Sequence, residues 1–135
     1  MGVLVDSSVL IDVATKDPEW FAWSGEAIRR LGQVTELCVN HVIYAVAAGF
    51  PSEDRLEAFL TPDKFQRRPL PWRAAFPAGR AFLKYRRQGG RKRSPLPDFY
   101  VGAHALVEDL VVLTRDVARF KTYFPTVRLV SPENT

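Results

Sequence analysis

The sequence contains few of the residues on which zinc sites and covalent catalysis depend. Of its 135 residues one is cysteine, Cys38, and two are histidine. A single cysteine excludes an internal disulfide framework, and its apolar neighbours indicate a buried packing thiol. Neither His41 nor His104 has a partner at ligand spacing, so we interpret both as structural. The absence of a CxxC pair, a glycine-rich phosphate loop and a Ser-His-Asp arrangement argues against structural zinc, P-loop enzymes and hydrolytic triads.

Long apolar segments are also missing. No run approaches the roughly 18 apolar residues that a membrane span requires, and no basic segment followed by a hydrophobic core begins the chain. We therefore expect a soluble, cytoplasmic protein without a membrane partner. A length of 135 residues, 47% of them hydrophobic, predicts a single domain over residues 1–135 with a substantial core. The net charge of +4 is compatible with a nucleic-acid partner but does not require one.

The hydrophobic pattern alternates between strand-like and helix-like segments. Four short apolar runs predict strands at residues 3–5, 37–40, 110–113 and 127–130. Segments with helical spacing separate them, and Gly32 is expected to end the helix that starts near Pro18. Three prolines in residues 61–72 indicate a loop. Strands that alternate with helices predict an α/β fold with a mainly parallel sheet.

Three aspartates are placed where a strand ends or a helix is expected to begin. Asp6 follows the first strand, Asp116 follows the strand at 110–113, and Asp98 begins a helix after a proline-bracketed loop. Each could simply be a helix cap. In a parallel sheet, however, all three positions face one edge, and carboxylates gathered there require a cation between them. An oxygen-only ligand set favours Mg²⁺ or Mn²⁺, with Ser8 and Thr114 as supporting hydroxyls.

A run of cations leads directly into Asp98. It ends the preceding helix and continues through a glycine pair, and we predict RNA-backbone contacts for Arg86, Arg87, Arg91, Lys92 and Arg93. The alternative is an ordinary solvated helix end whose cations complement the helix dipole.

Four motifs together resemble the PIN-domain ribonucleases, and in particular the VapC-type toxins of bacterial toxin–antitoxin pairs. They are VDSSVLID at 5–12, NHVIYA at 40–45, PLPDFYVGAHA at 95–105 and LTRD at 113–116. The resemblance covers nearly the whole chain in the family's order. It implies a three-layer α/β/α sandwich and an endoribonuclease that depends on Mg²⁺ or Mn²⁺.

The resemblance also implies partners and site residues. A cognate antitoxin that blocks the site and a homodimer are expected. By motif, Asp6, Asp98 and Asp116 correspond to the catalytic, metal-binding acids, and Ser8 to a small polar position of the same site.

One acid of the family pattern is absent. The family usually has a Glu after Tyr-Ala in the helix that follows the second strand, whereas here Val46 follows Tyr44 and Ala45. Either Val46 replaces the Glu, or a residue was lost and the helix register turned by about 100°. Glu53 and Asp54 are expected to lie too far away to substitute.

Two hypotheses follow from this departure. The chain is a toxin nuclease weakened by the missing acid, or it is a catalytically inactive PIN-like module that binds RNA or an antitoxin. A receiver or nucleotide-binding domain fits less well, because clustered acids with a late lysine and a glycine loop are both lacking.

Overall fold

Five parallel strands form one sheet in a computed structural model that describes residues 2–90 and 96–134. The strand order is β3-β2-β1-β4-β5. The strands are β1 (Gly2–Val5), β2 (Glu36–Val39), β3 (Phe65–Arg67), β4 (Val111–Leu113) and β5 (Leu129–Val130). Every neighbouring pair runs parallel, so each connection crosses over the sheet, and each of the four contains at least one helix.

Helices cover the sheet to give the predicted three-layer α/β/α arrangement. They are α1 (Ser7–Thr15), α2 (Phe21–Val34), α3 (His41–Val46), α4 (Glu53–Phe59), α5 (Ala75–Arg87), α6 (Leu96–Glu108) and α7 (Ala118–Tyr123). Helix α1 packs on α2, and α6 packs on both α5 and α7. Within residues 2–90 and 96–134, no helix combines the length and the apolar character needed to cross a bilayer.

The central strand β1 determines where the site lies. It pairs with β2 on one side, Leu4 opposite Cys38, and with β4 on the other, Val5 opposite Leu113. All four side chains are completely buried. The chain first builds the sheet outward from β1 through β2 and β3, then returns to add β4 and β5 on the other side. The β1–β4 junction is therefore the topological switch point, whose carboxyl edge is the usual ligand crevice of such sheets.

Two expectations about local structure were wrong. Residues 61–72, expected to be a loop, contain the edge strand β3, whose Phe65 is buried opposite Leu37. The prolines flank this strand rather than interrupt it, as edge strands allow. Gly32 does not end α2, which continues to Val34. A Cβ at this position would lie 3.4 Å from Leu37, an ordinary van der Waals contact.

Candidate active site

Asp6 lies at the carboxyl end of β1, immediately before α1. Its backbone is extended, as at a helix cap, but its side chain does not make the capping hydrogen bond. Its Oδ2 instead accepts hydrogen bonds from Ser8 Oγ and Thr114 Oγ1, each at 2.9 Å. Only 4% of Asp6 is exposed. The carboxylate is thus oriented by two hydroxyls, and helix capping does not explain its position.

Thr114 joins the end of β4 to Asp6. The backbone N–H of Asp6 donates to Leu113 O at 2.9 Å, which extends the β1–β4 ladder to this point. The buried Thr114 hydroxyl donates to Asp6 and accepts from the backbone N–H of Asp116 at 3.0 Å. The structure therefore brings Ser8 and Thr114, the two predicted supporting residues, onto Asp6. It also places Asp116 at the same edge.

Asp98 is held differently. Helix α6 starts at Leu96, so Asp98 lies within its first turn and not at its beginning. The Arg119 Nη1 atom is 3.3 Å from Asp98 Oδ2, and both side chains are partly exposed. The Arg119 guanidinium also lies 5.6 Å from the Tyr85 ring centroid. Asp98 consequently has a protein cation beside it, which the sequence did not indicate.

The electrostatic field connects the three aspartates. Burial raises the pKa of Asp6 to about 6; the charge of Asp98 acts in the same direction, and the Thr114 and Ser8 hydroxyls oppose it. Burial also raises the pKa of Asp98, against the attraction of Arg119 and with the repulsion of Asp116. The negative charge of Asp98 therefore raises the pKa of Asp6, and that of Asp116 raises the pKa of Asp98. This is the charge pattern that a bound cation would relieve.

Proximity does not amount to a preformed chelate. In the part of the chain that the structure describes, no three acidic, histidine or cysteine side chains are close enough together to hold a metal ion. The donor set of carboxylates and hydroxyls fits a hard cation such as Mg²⁺ or Mn²⁺ in its chemistry. To bind one such cation, the side chains of Asp6, Asp98 and Asp116 would have to approach one another. Their role as metal ligands stays a prediction.

Helix α3 does not provide the fourth acid of the family pattern. It ends at Val46 and continues as a 3-10 turn, Ala47–Gly49. Ile43 and Ala47 are buried, and Val46 is 41% exposed. An apolar, half-exposed side chain thus stands at the position after Ala45.

An ion pair between a buried carboxylate and a partly exposed arginine was not predicted from the sequence. Arg115 Nε lies 2.8 Å from Asp12 Oδ2, and Ser24 Oγ donates to the same oxygen at 2.8 Å. Asp12 is 1% exposed. A signal existed in the sequence, because an acid within the apolar run of α1 requires a charged partner.

The predicted RNA-binding cations are only partly described. Arg86 and Arg87 are exposed at the end of α5. Arg91, Lys92 and Arg93 lie outside the described residues. In the sequence, no acid occurs between Asp63 and Asp98, so the cationic character extends over β3, α5 and the following link.

Comparisons with known proteins give structural neighbours only. No family model matches the sequence, and no curated protein matches it. The fold does match a chain in the structure of VapBC2 from Rickettsia felis bound to a promoter DNA fragment, with a TM-score of 0.71 and 12% identity over 97% of this chain and 98% of that one. VapBC-1 from nontypeable Haemophilus influenzae matches with a TM-score of 0.69 and 17% identity, over the same shares of the two chains.

A toxin–antitoxin complex from Klebsiella pneumoniae matches with a TM-score of 0.67 and 19% identity, over 98% of this chain and 99% of that one. The coverage is nearly complete on both sides, so the likeness concerns the whole fold and not a shared fragment. At these identities the likeness establishes the fold alone. The predicted resemblance is therefore confirmed as far as the fold: this chain has the architecture seen in VapBC toxin–antitoxin complexes.

Proposed function

We propose that this chain is a Mg²⁺- or Mn²⁺-dependent endoribonuclease that acts as the toxin of a toxin–antitoxin pair. The observation that carries the proposal is the buried Asp6 carboxylate at the switch point, bonded to the Thr114 hydroxyl, which also accepts from the backbone N–H of Asp116. The fold shared with VapBC complexes and the four sequence motifs support it. The proposal includes a cognate antitoxin, a cytoplasmic location and a homodimer.

The residues of the edge have separable tasks in this proposal. Asp6, Asp98 and Asp116 would hold the ion, whose chemistry is the activation of a water molecule and the neutralisation of charge on phosphoryl oxygens. Ser8 and Thr114 both bind Oδ2 of Asp6 and thereby fix the plane of its carboxylate. At neutral pH, above its raised pKa of about 6, Asp6 is mostly ionised and able to hold a cation.

RNA would be positioned by the cations around this edge. Arg119 is close to Asp98 and partly exposed, so it can turn from the carboxylate to a phosphate when a metal ion neutralises Asp98. Arg86 and Arg87 extend the positive surface along α5, and the sequence continues it with Arg91, Lys92 and Arg93. Such contacts hold the backbone without reading its sequence.

The test is cleavage of a structured RNA in Mg²⁺ or Mn²⁺, with EDTA as the metal-free control. We expect the wild type to cleave and Asp6→Asn to be inactive while folded, since Asn retains both hydroxyl bonds but not the charge. Asp109→Asn is the matched control, because Asp109 has a 90% exposed side chain and a positive φ that Asn tolerates. Full activity in folded Asp6→Asn protein would exclude Asp6 as an essential ligand.

A second candidate function is a catalytically inactive module of the same fold. Two observations favour it: Val46 stands where the family has Glu, and no ready-made cluster of three ligands occurs among residues 2–90 and 96–134. This module would bind RNA or an antitoxin without cleavage. Absence of metal-dependent cleavage, together with a stable complex with the product of the neighbouring reading frame, would support this candidate over the nuclease.

A further inference from the structure

A separate cavity opens at the same sheet edge, beside Asp6. Its volume is about 410 Å³, and its polar lining comprises Asn40, His41, Tyr44, Glu53, Glu57, Arg67 and Arg68. Leu4 is paired with Cys38, so Asp6 and Asn40 leave neighbouring strands at the same level. Adjacent strands lie about 4.8 Å apart. The cavity is thus one strand away from the acid that would hold the scissile phosphate.

One wall of this cavity is already organised. Glu57 Oε2 accepts hydrogen bonds from Tyr44 OH and from Arg67 Nη2, each at 2.8 Å. The Arg67 guanidinium lies 5.5 Å from the Tyr44 ring centroid. Both partners lower the pKa of Glu57, so this carboxylate is ionised at neutral pH. Three side chains from α3, β3 and α4 therefore present an anionic acceptor beside planar groups, and Glu57 and Arg67 are each 46% exposed and so open to a ligand.

The floor of the cavity is equally fixed. Asn40 is buried, its Oδ1 accepts from the backbone N–H of Ile43, and its Nδ2 donates to His104 Nδ1, both at 2.9 Å. The neighbouring His41 is exposed and faces the same space. A cavity that combines a buried, hydrogen-bonded amide with an ion-paired carboxylate can select a ligand by shape as well as by charge.

These surfaces suit a nucleobase displaced from its stack. Single-stranded RNA is read by stacking on tyrosine, histidine and arginine planes, with hydrogen bonds to the base edge. Tyr44, Arg67 and His41 offer such planes. The volume of about 410 Å³ is within the range of small-ligand pockets.

Hydrogen bonds to the glutamate carboxylates determine which base this cavity prefers. Guanine presents two adjacent N–H donors, N1 and N2, on its Watson–Crick edge, and Oε1 of Glu57, which the bonds from Tyr44 and Arg67 leave available, can accept from them. Adenine and cytosine place their amino group beside a ring-nitrogen acceptor, which a carboxylate repels. Uracil has one N–H between two carbonyl oxygens. Glu57 and Glu53 therefore favour guanine over the other three bases.

We propose that this cavity binds a guanine base of the RNA, next to the nucleotide whose phosphate lies at Asp6, and that Glu57 accepts hydrogen bonds from the base. The inference rests on the proposed ribonuclease function and specifies its sequence preference. It concerns binding, so it can be tested without cleavage.

The test measures fluorescence anisotropy in EDTA with labelled RNAs of about seven nucleotides. One probe is oligouridylate, and three others carry G, A or C at the central position. We expect the G-containing RNA to bind about tenfold more tightly than the other three. Glu57→Gln should make the four affinities equal. Glu26→Gln is the control, since Glu26 is also paired with an arginine, Arg29, on an exposed helix, and its loss changes the net charge equally.

The outcomes separate this inference from the proposed function. RNA binding without a preference for G, or with an unaltered preference in Glu57→Gln, overturns the guanine site and leaves the nuclease proposal standing. No binding to any of the four RNAs overturns the guanine site, and the cleavage assay in Mg²⁺ or Mn²⁺ then decides the nuclease proposal separately. Should Glu57→Gln fail to fold, Tyr44→Phe removes one of the groups that hold the carboxylate and must weaken the preference. An unchanged preference in that variant likewise overturns the site.

Discussion

Arg115 and Asp12 form an ion pair that fastens the loop after β4 to the first helix, with Arg115 Nε 2.8 Å from Asp12 Oδ2. The two residues on either side of Arg115 are Thr114, which donates to Asp6, and Asp116. The pair therefore fixes not only the loop but also the position of two candidate site residues relative to Asp6. Its cost is a carboxylate buried to 1% exposure, which requires a counterion.

Removal of Arg115 should be among the more damaging single substitutions. In Arg115→Ala the buried Asp12 keeps the Ser24 hydroxyl but loses its cation, and we expect the free energy of unfolding to fall by about 3 kcal/mol. Arg29→Ala breaks an ion pair whose side chains are both more than half exposed, and should cost less than about 1 kcal/mol. Urea denaturation measures both. Equal losses would mean that the buried pair has no special structural role.

Asp6 should make the metal-free protein less stable as the pH rises. Its pKa is about 6 in the folded chain, against 3.8 for an unperturbed aspartate such as that of the unfolded chain. Between these values the folded state retains the proton and the unfolded state loses it, so stability decreases from about pH 4 to about pH 6 and then levels. The difference corresponds to about 3 kcal/mol.

Asp6→Asn isolates this contribution from other titrating groups. Asparagine still accepts from Ser8 and Thr114 but carries no charge. In EDTA the unfolding free energy of Asp6→Asn should nearly equal that of the wild type at about pH 4. At pH 7 it should exceed the wild-type value by about 3 kcal/mol. Urea titrations at a series of pH values measure the difference. A difference that does not change with pH would contradict the buried, charged state of Asp6.

The pattern of local residue types accounts for most of what could be predicted. Strands β1 and β2 are short apolar runs followed by polar residues, and their periodicity is visible without any tertiary information. The meeting of Asp6 with Thr114 follows from parallel topology, which carries strand ends to one edge. Both levels of inference need only neighbouring residues and a fold class.

What was missed depends on partners distant in sequence. The strand β3 is three residues long and exists because β2 offers it a ladder, so its proline-rich surroundings were misleading. The contact of Arg119 with Asp98 joins separate elements, as do the hydrogen bonds of Glu57 with Tyr44 and Arg67. No local sequence pattern indicates these contacts.

Close packing at Gly102 gives a prediction about the core. A Cβ at this position in α6 would lie 2.4 Å from the buried Phe124 ring, whereas a Cβ at Gly25 in α2 meets nothing within 4 Å. We expect Gly102→Ala to lose about 1–3 kcal/mol of unfolding free energy through overpacking. Gly25→Ala should gain about 0.5–1 kcal/mol through helix propensity. Thermal and urea denaturation would detect the opposite signs, and two changes of the same sign would refute the packing argument.

The missing acid of α3 yields the sharpest prediction about function. Val46 is 41% exposed and its neighbours Ile43 and Ala47 are buried, so Val46→Glu adds a carboxylate without disturbing the buried face of the helix. If the absent acid weakens the site, an added negative oxygen ligand should tighten Mg²⁺ binding by about tenfold or more. The rise of the melting temperature with MgCl₂ measures this binding, and cleavage of a structured RNA measures its consequence. Val46→Gln adds a side chain of the same shape as Glu but without charge. It should improve neither Mg²⁺ binding nor RNA cleavage. If Glu and Gln respond alike to Mg²⁺, the absent acid is not what limits this site, and Val46 no longer favours the inactive module over the nuclease.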